Sequence, residues 1–387
     1  MKIIHTSDWH LGHVLYDSPR ETEHMAMLRQ IGELIAREHP DALLVSGDVF
    51  DTSQPRADVQ QLFTDAILSY HKSCPAMVIV ITAGNHDSAS RHEIFQQPWR
   101  ELNVHAVGKL HPDAPEEHII KVGESGYIAA VPYAPDRTFP EGFYQRVIDA
   151  VPDDGLPLVM SAHTSVRGAD FAGHSRNRAG EEREVIGNID SLELALLGEG
   201  YDYLALGHIH NPQFVHGGNG RVRYCGSPIP VSFDERGSHG VSLVEISRRG
   251  EKPTVTHVPI ENPRPLETIP ADGAFTDWDT ALQLLGEYEP KGDDYVRLNV
   301  ETRGPLPANR RDQIARAVGE RRITVCRINA RSVCNPDEAV AEMTVEELQE
   351  QRPVDLARRY ARQKGIEFTD EMEKMFNEVI RSINDEA

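Results

Sequence analysis

Three short apolar runs, each closed by a polar turn and separated by stretches of helical periodicity, constrain this chain more than any other feature. They span residues 2–6, 41–46 and 76–82 and read as buried strands. Between them, residues 20–38 set Met25, Leu28, Ile31, Leu34 and Ile35 at helical spacing, and residues 55–73 do the same with Leu62, Phe63, Ile67 and Tyr70. A β-α-β-α-β order of this kind predicts an α/β sheet with helical crossovers. In such sheets, sites form where loops leave the carboxyl ends of the strands.

Those ends carry the polar motifs. Asp8 and His10 follow the first run, Asp48 and Asp51 the second, and Gly84-Asn85-His86-Asp87 the third. Further along, His163 follows an apolar run at 158–162, and Gly207-His208-Ile209-His210 follows one at 203–206. A lone histidine is usually a surface or core residue, and Gly47 and Gly84 could be ordinary turn glycines. The shared placement of all these groups at strand ends is what points to a site.

The donor set Asp8, His10, Asp48, Asn85, His163, His208 and His210 holds oxygens and imidazoles but no thiolate. It suits manganese, iron, zinc or magnesium better than copper(I) or an iron–sulfur cluster. Seven donors exceed the needs of one ion, so the expectation is two, with Asp48 as the bridge. Asp8, His10 and His210 would complete one ion, and Asn85, His163 and His208 the other. Two ions about 3.5–4 Å apart clamp a phosphate and activate a water for in-line attack. His86, beside a donor but not itself one, is placed to give a proton to the leaving oxygen. Asp51 and Asp87 are expected to orient histidines.

The remainder is less informative. Residues 88–102 read as a helix with Ile94, Phe95 and Trp99 on one side, and 167–184 as a mobile loop whose Arg167, Arg176, Arg178 and Arg183 are solvated. A boundary falls near Asn262-Pro263-Arg264-Pro265, followed by a small α/β module without a chemical constellation. From residue 335 the chain turns strongly charged and short helices follow, the last capped by Thr369. That helix sets Met372, Met375, Phe376, Val379, Ile380 and Ile383 in one stripe. The stripe suits either the protein's own core or a partner.

At 387 residues with 39% hydrophobic and 26% charged residues, the composition is that of a soluble globular protein. No run is long enough for a membrane span, and the four cysteines (Cys74, Cys225, Cys326, Cys334) lack C-x-x-C spacing. A cytoplasmic location without membrane partners is therefore expected. The formal net charge of -21 argues against an autonomous nucleic-acid binder, though not against a nuclease helped by cations or a partner.

The motif order resembles that of the calcineurin-like metallophosphoesterase superfamily. Three blocks narrow the likeness to its DNA double-strand-break repair nuclease family: Thr6-Ser7-Asp8-Trp9-His10-Leu11-Gly12, Ser46-Gly47-Asp48-Val49-Phe50-Asp51-Thr52, and the stretch from Val222 through Gly226-Ser227-Pro228 to Phe233-Asp234-Glu235. The resemblance implies a β-sandwich flanked by helices over residues 1–262, a small α/β capping domain over 263–335 and C-terminal helices over 336–387. It also implies manganese-dependent cutting of DNA in repair, recombination and replication: 3′→5′ exonuclease action on duplex ends and endonuclease action on single strands and hairpins. By the same likeness the metal ligands fall on the seven donors and the catalytic histidine on His86. Two Mn2+ would be bound, with Mg2+ or another divalent ion as a substitute. The protein would be a homodimer within a heterotetramer, with its terminal helices docked on a coiled-coil ATPase that gates the nuclease. The competing readings are a phosphodiesterase or phosphatase for nucleotides or phosphoproteins, and a non-catalytic scaffold.

Overall fold

A computed structural model describes residues 1–333 apart from 95, 135–138, 172–190 and 236, together with 354, 358, 368, 369 and 372–375. The first part of the chain runs β1 (Lys2–Thr6), β2 (Val14–Leu15), β3 (Ser18–Pro19), α1 (Glu21–Glu38), β4 (Ala42–Ser46), α2 (Ala57–Ser73), β5 (Val78–Thr82), α3 (Ala89–Ile94), α4 (Gln96–Arg100) and β6 (Val104–Val107). There follow β7 (Ile119–Val122), β8 (Gly126–Ala130), α5 (Phe143–Asp149), β9 (Leu158–His163), β10 (Tyr203–Gly207), β11 (Gln213–Phe214), β12 (Val222–Tyr224), β13 (Gly240–Glu245) and β14 (Thr254–Pro259). A last group comprises β15 (Leu266–Ile269), α6 (Trp278–Glu287), β16 (Asp294–Thr302), α7 (Arg310–Val318) and β17 (Ile323–Ser332).

Two six-stranded sheets form, in the orders β14-β13-β1-β4-β5-β6 and β11-β12-β10-β9-β8-β7. β1, β4, β5 and β6 are mutually parallel, as are β8, β9, β10 and β12. The period-two alternation of a strand decides what each face meets. Ile4, Leu43, Val45, Ile79 and Ile81 turn toward α1 and α2, where Ile31, Phe63 and Ile67 cover them. Ile3, Leu44 and Val80 turn the other way and pack on Ile128, Val159 and Ala205 of the second sheet. The outer face of the second sheet, with Leu158, Met160 and Leu206, is closed by Phe143, Val147 and Ile148 of α5. The result is a helix–sheet–sheet–helix sandwich whose strands are apolar on both faces. Each fully buried leucine or isoleucine in it contributes about 1.5–3 kcal/mol.

α1 buries Met27 and leaves Met25 53% exposed, the reverse of the expectation from spacing. The covered face also takes in Glu23 and His24, so the apolar residues alone misplace its edge. Within the stretch expected to be helical over 88–102, Ala89–Ile94 and Gln96–Arg100 are helical. Ile94 in this stretch is 66% exposed.

The three-stranded sheet β15-β16-β17 packs Val296, Leu298 and Val300 against Ala281 and Leu285 of α6. Beyond residue 331 lies a separate unit. In it the Met372 amide donates to Thr369 Oγ1 at 3.3 Å, an N-cap at the expected residue. The other features foreseen there, with Cys334, and the loop from residue 172 on lie outside the described residues. Among the described residues, no helix is long and apolar enough to cross a membrane.

Candidate metal centre

Parallel strands bring their carboxyl ends to one edge. Within the first sheet the Asp8 amide donates to the Gly47 carbonyl at 3.0 Å, and two further contacts pin the sheets together there. The His208 amide donates to Asp8 Oδ1 and Oδ2 at 3.0 and 3.1 Å, and His163 Nδ1 donates to the Ser46 carbonyl at 2.9 Å. Two of the turn glycines are required by close approach. A Cβ on Gly47 would lie 2.1 Å from His163 Nδ1, and one on Gly84 would lie 2.1 Å from Asp48 Oδ1. Asp8, His10, Asp48 and His208 have φ of 53°, 44°, 50° and 100°. Left-handed backbone at non-glycine residues is costly and gathers where function demands it.

Asp8, His10 and His210 offer ligand atoms within 4.8 Å of one another, as do Asp8, Asp48 and His163, and as do His10, Asp48 and His86. His10 Nε2 stands 3.2 Å from His210 Nε2. His163 Nε2 stands 3.3 Å from Asp48 Oδ2 and 3.1 Å from Asn85 Oδ1, which is also 2.9 Å from His208 Nδ1. All seven donors foreseen from the sequence therefore sit at this edge, with Asp48 between the imidazoles of His10 and His163.

The geometry fits a cation. His210 Nδ1 donates to Glu235 Oε1 at 2.8 Å, so its Nε2 presents a lone pair toward His10 Nε2. His163 uses Nδ1 on the Ser46 carbonyl, so its Nε2 lone pair faces two oxygen acceptors. Acceptors facing acceptors in a buried place call for a positive charge between them. A proton takes that role in the metal-free protein. Burial pushes His163 and His10 down, but Asp48 and Asp8 around the first, and Asp51, Asp48 and Asp8 around the second, raise each to about 9. Burial opposes the charge on Asp48 too, yet His163 and His10 hold its carboxyl well below the usual range.

His86 is fixed at both ends of its residue. Its amide donates to Asp48 Oδ1 and its Nδ1 to the Asp51 carbonyl, both at 2.8 Å, which leaves Nε2 for chemistry. Its ring meets that of His10 edge-on at 4.9 Å. Asp51 also approaches His10 Nδ1 at 3.3 Å, so it touches two of the site's imidazoles.

Asp87 does something else. Its carboxylate accepts the amides of Gly84, Val49 and Phe50 at 2.9, 3.1 and 3.0 Å and binds the two turns to each other. The imidazole beside it is that of His92, outside the motifs, at 3.5 Å.

Glu235 was given no role from the sequence. Its side chain is 1% exposed. It holds His210, lies 3.6 Å from His239 Nε2 and accepts the Val231 amide at 2.9 Å. Against the effect of burial, His210 and His239 keep its carboxyl at about 2. The only hint in the sequence is that it closes the block starting at Val222.

Comparison with known proteins agrees with this layout. A family model described as calcineurin-like phosphoesterase matches residues 1–212, and one described as Type 5 capsule protein repressor C-terminal domain matches residues 262–364. The SbcD component of the nuclease SbcCD from Rhodobacter capsulatus is 34% identical over 303 residues, covering 70% of this chain and 72% of that protein. The protein of the same description from Escherichia coli K12 is 31% identical over 298 residues, 70% and 71% of the two chains. The one from Bacillus subtilis is 28% identical over 280 residues, 69% and 71%.

Proposed function

The chain belongs to the calcineurin-like phosphoesterase family, in the branch of the SbcD nucleases, and from that premise we propose that it is a manganese-dependent DNA nuclease working with an SbcC-type coiled-coil ATPase. The family uses divalent metal ions, and the buried lone pairs and carboxylates described above are what such ions need. The observation that carries the reading is the set of facing acceptors. His10 and His210 meet at 3.2 Å, and His163 meets Asp48 and Asn85 at 3.3 and 3.1 Å.

In this reading Asp8, His10 and His210 would hold one ion and Asn85, His163 and His208 the other, with Asp48 placed to serve both. When bound, such a pair supplies Lewis acidity toward a phosphate and a nucleophilic oxygen at neutral pH. The chain's own residues do the rest. His86, with Nδ1 engaged by the Asp51 carbonyl, delivers a proton from Nε2 to the leaving oxygen. Glu235 and the Ser46 carbonyl hold His210 and His163 with their free nitrogens inward.

The same premise extends to 3′→5′ exonuclease action on duplex ends and endonuclease action on single strands and hairpins, in the cytoplasm. It also extends to a homodimer within a heterotetramer, with residues 263–335 as a capping domain and 336–387 docking on the ATPase. The net charge of -21 supports a partner that carries much of the DNA affinity. The test is cleavage of hairpin and duplex-end DNA with manganese, with and without the ATPase, beside turnover of cyclic nucleotides. Cutting of DNA is expected. Turnover of the nucleotides with no cutting overturns the reading.

A further inference from the structure

Beside the donor cluster, a cavity of about 180 Å³ opens among the segments that follow β8 and β9 and the start of α5. Tyr133, Phe139, Tyr144, Leu192 and Leu196 make its wall largely apolar, and His163 closes it on the side of the donors. The Tyr133 ring stands edge-on to the His163 ring, with centroids 6.3 Å apart and planes at 88°. Phe139 and Tyr144 are stacked, 4.7 Å apart at 19°. His163 uses its two nitrogens on Ser46, Asp48 and Asn85, so its ring is a partition with the donor atoms on one side and an aromatic chamber on the other.

A phosphodiester seated at the donors would thus have this chamber within reach of the adjoining nucleotide. The chamber suits a flat aromatic group. It has room for a nucleobase, and its lining is mostly apolar, with Glu141 and Thr164 as polar exceptions. We propose that the cavity receives the unstacked base of the nucleotide next to the scissile phosphate. The inference rests on the nuclease reading and deepens it. It gives a reason for preferring single strands, hairpin tips and frayed ends, because extracting a base costs least where it is already unpaired. Stacking on aromatic side chains tolerates every base, so the cavity selects for strandedness rather than sequence.

The test uses single-stranded oligonucleotides that carry one abasic nucleotide at successive positions around a cleavage site, cut by the manganese-loaded protein. At one position flanking the cut phosphate, the missing base is expected to lower kcat/KM by about 5- to 150-fold, the range of one base–aromatic stack. Leu196→Trp, which fills the chamber from its exposed side, should cut the intact strand as slowly as the wild type cuts the abasic one. It should show no further abasic effect, with its manganese isotherm unchanged. Phe139→Leu, which keeps bulk but removes a ring, should give a loss in the same direction and serves if the tryptophan variant does not fold. Equal cutting of intact and abasic strands at every position overturns this inference alone. Absence of any cutting overturns the nuclease reading and the inference with it.

Discussion

The two sheets of the sandwich make unequal contributions to one site. The turns after β1, β4 and β5 supply Asp8, Asp48 and Asn85, both carboxylates and the amide, with a single imidazole, His10. The ends of β9 and β10 supply imidazoles only: His163, His208 and His210. Strain follows the charge. Three of the four donors after the first sheet have left-handed backbone, against one of three after the second. The first sheet therefore supplies the carboxylates of the site, and the second adds imidazoles that need outside support to face the right way. That support crosses between the sheets at Ser46 and comes from Glu235 within the later chain.

The sharpest way to separate chemistry from coordination is His86→Gln. It removes a proton donor on the first sheet's side and no foreseen ligand. Cleavage should fall by about 10²- to 10⁴-fold, with manganese affinity by calorimetry unchanged. A variant with full activity ends the proton-donor role and leaves the metal reading intact. Glu235→Gln attacks the other side. It removes the charge that holds His210, and a loss of about 10- to 100-fold in metal affinity or activity is expected. If metal affinity does not move, the claim that the second sheet's imidazoles depend on outside support is wrong.

A pH titration probes one imidazole from each side. His10 and His163 are both raised to about 9 in the metal-free protein. An ion must displace their protons, so affinity should rise with pH up to about 9, by about tenfold per unit for each proton displaced. The sign for stability is opposite. Folded-state values above the ordinary 6.5 mean that the metal-free fold gains most from these groups below 6.5 and loses that gain as pH rises through 9. Manganese titrations and chelated-protein melting curves at pH 7, 8 and 9 check both. A flat affinity removes the argument that protons stand in for the ions.

How much of this was legible depended on distance along the chain. Strands β1, β4 and β5 were readable because they are unbroken apolar runs, and their donors because each stands within a few residues of such a run. Met25 was misplaced because its surroundings come from elsewhere, and most of Asp87's partners do too. Met25 gave way to Met27 on a helix face that also buries Glu23 and His24. Asp87 spends its oxygens on backbone amides 37 and 38 residues away. Glu235 was missed for the same reason: the imidazole it holds lies 25 residues earlier, and the segment carrying it is neither helix nor strand. Local pattern reveals which atoms a strand end offers, whereas their orientation is a property of tertiary contacts.

The bond from the His208 amide to Asp8 joins residues 200 positions apart. During synthesis the earliest donors therefore wait, exposed and unpartnered by the second sheet, until most of the polypeptide has left the ribosome. A molecule truncated before residue 210 lacks part of the donor set altogether.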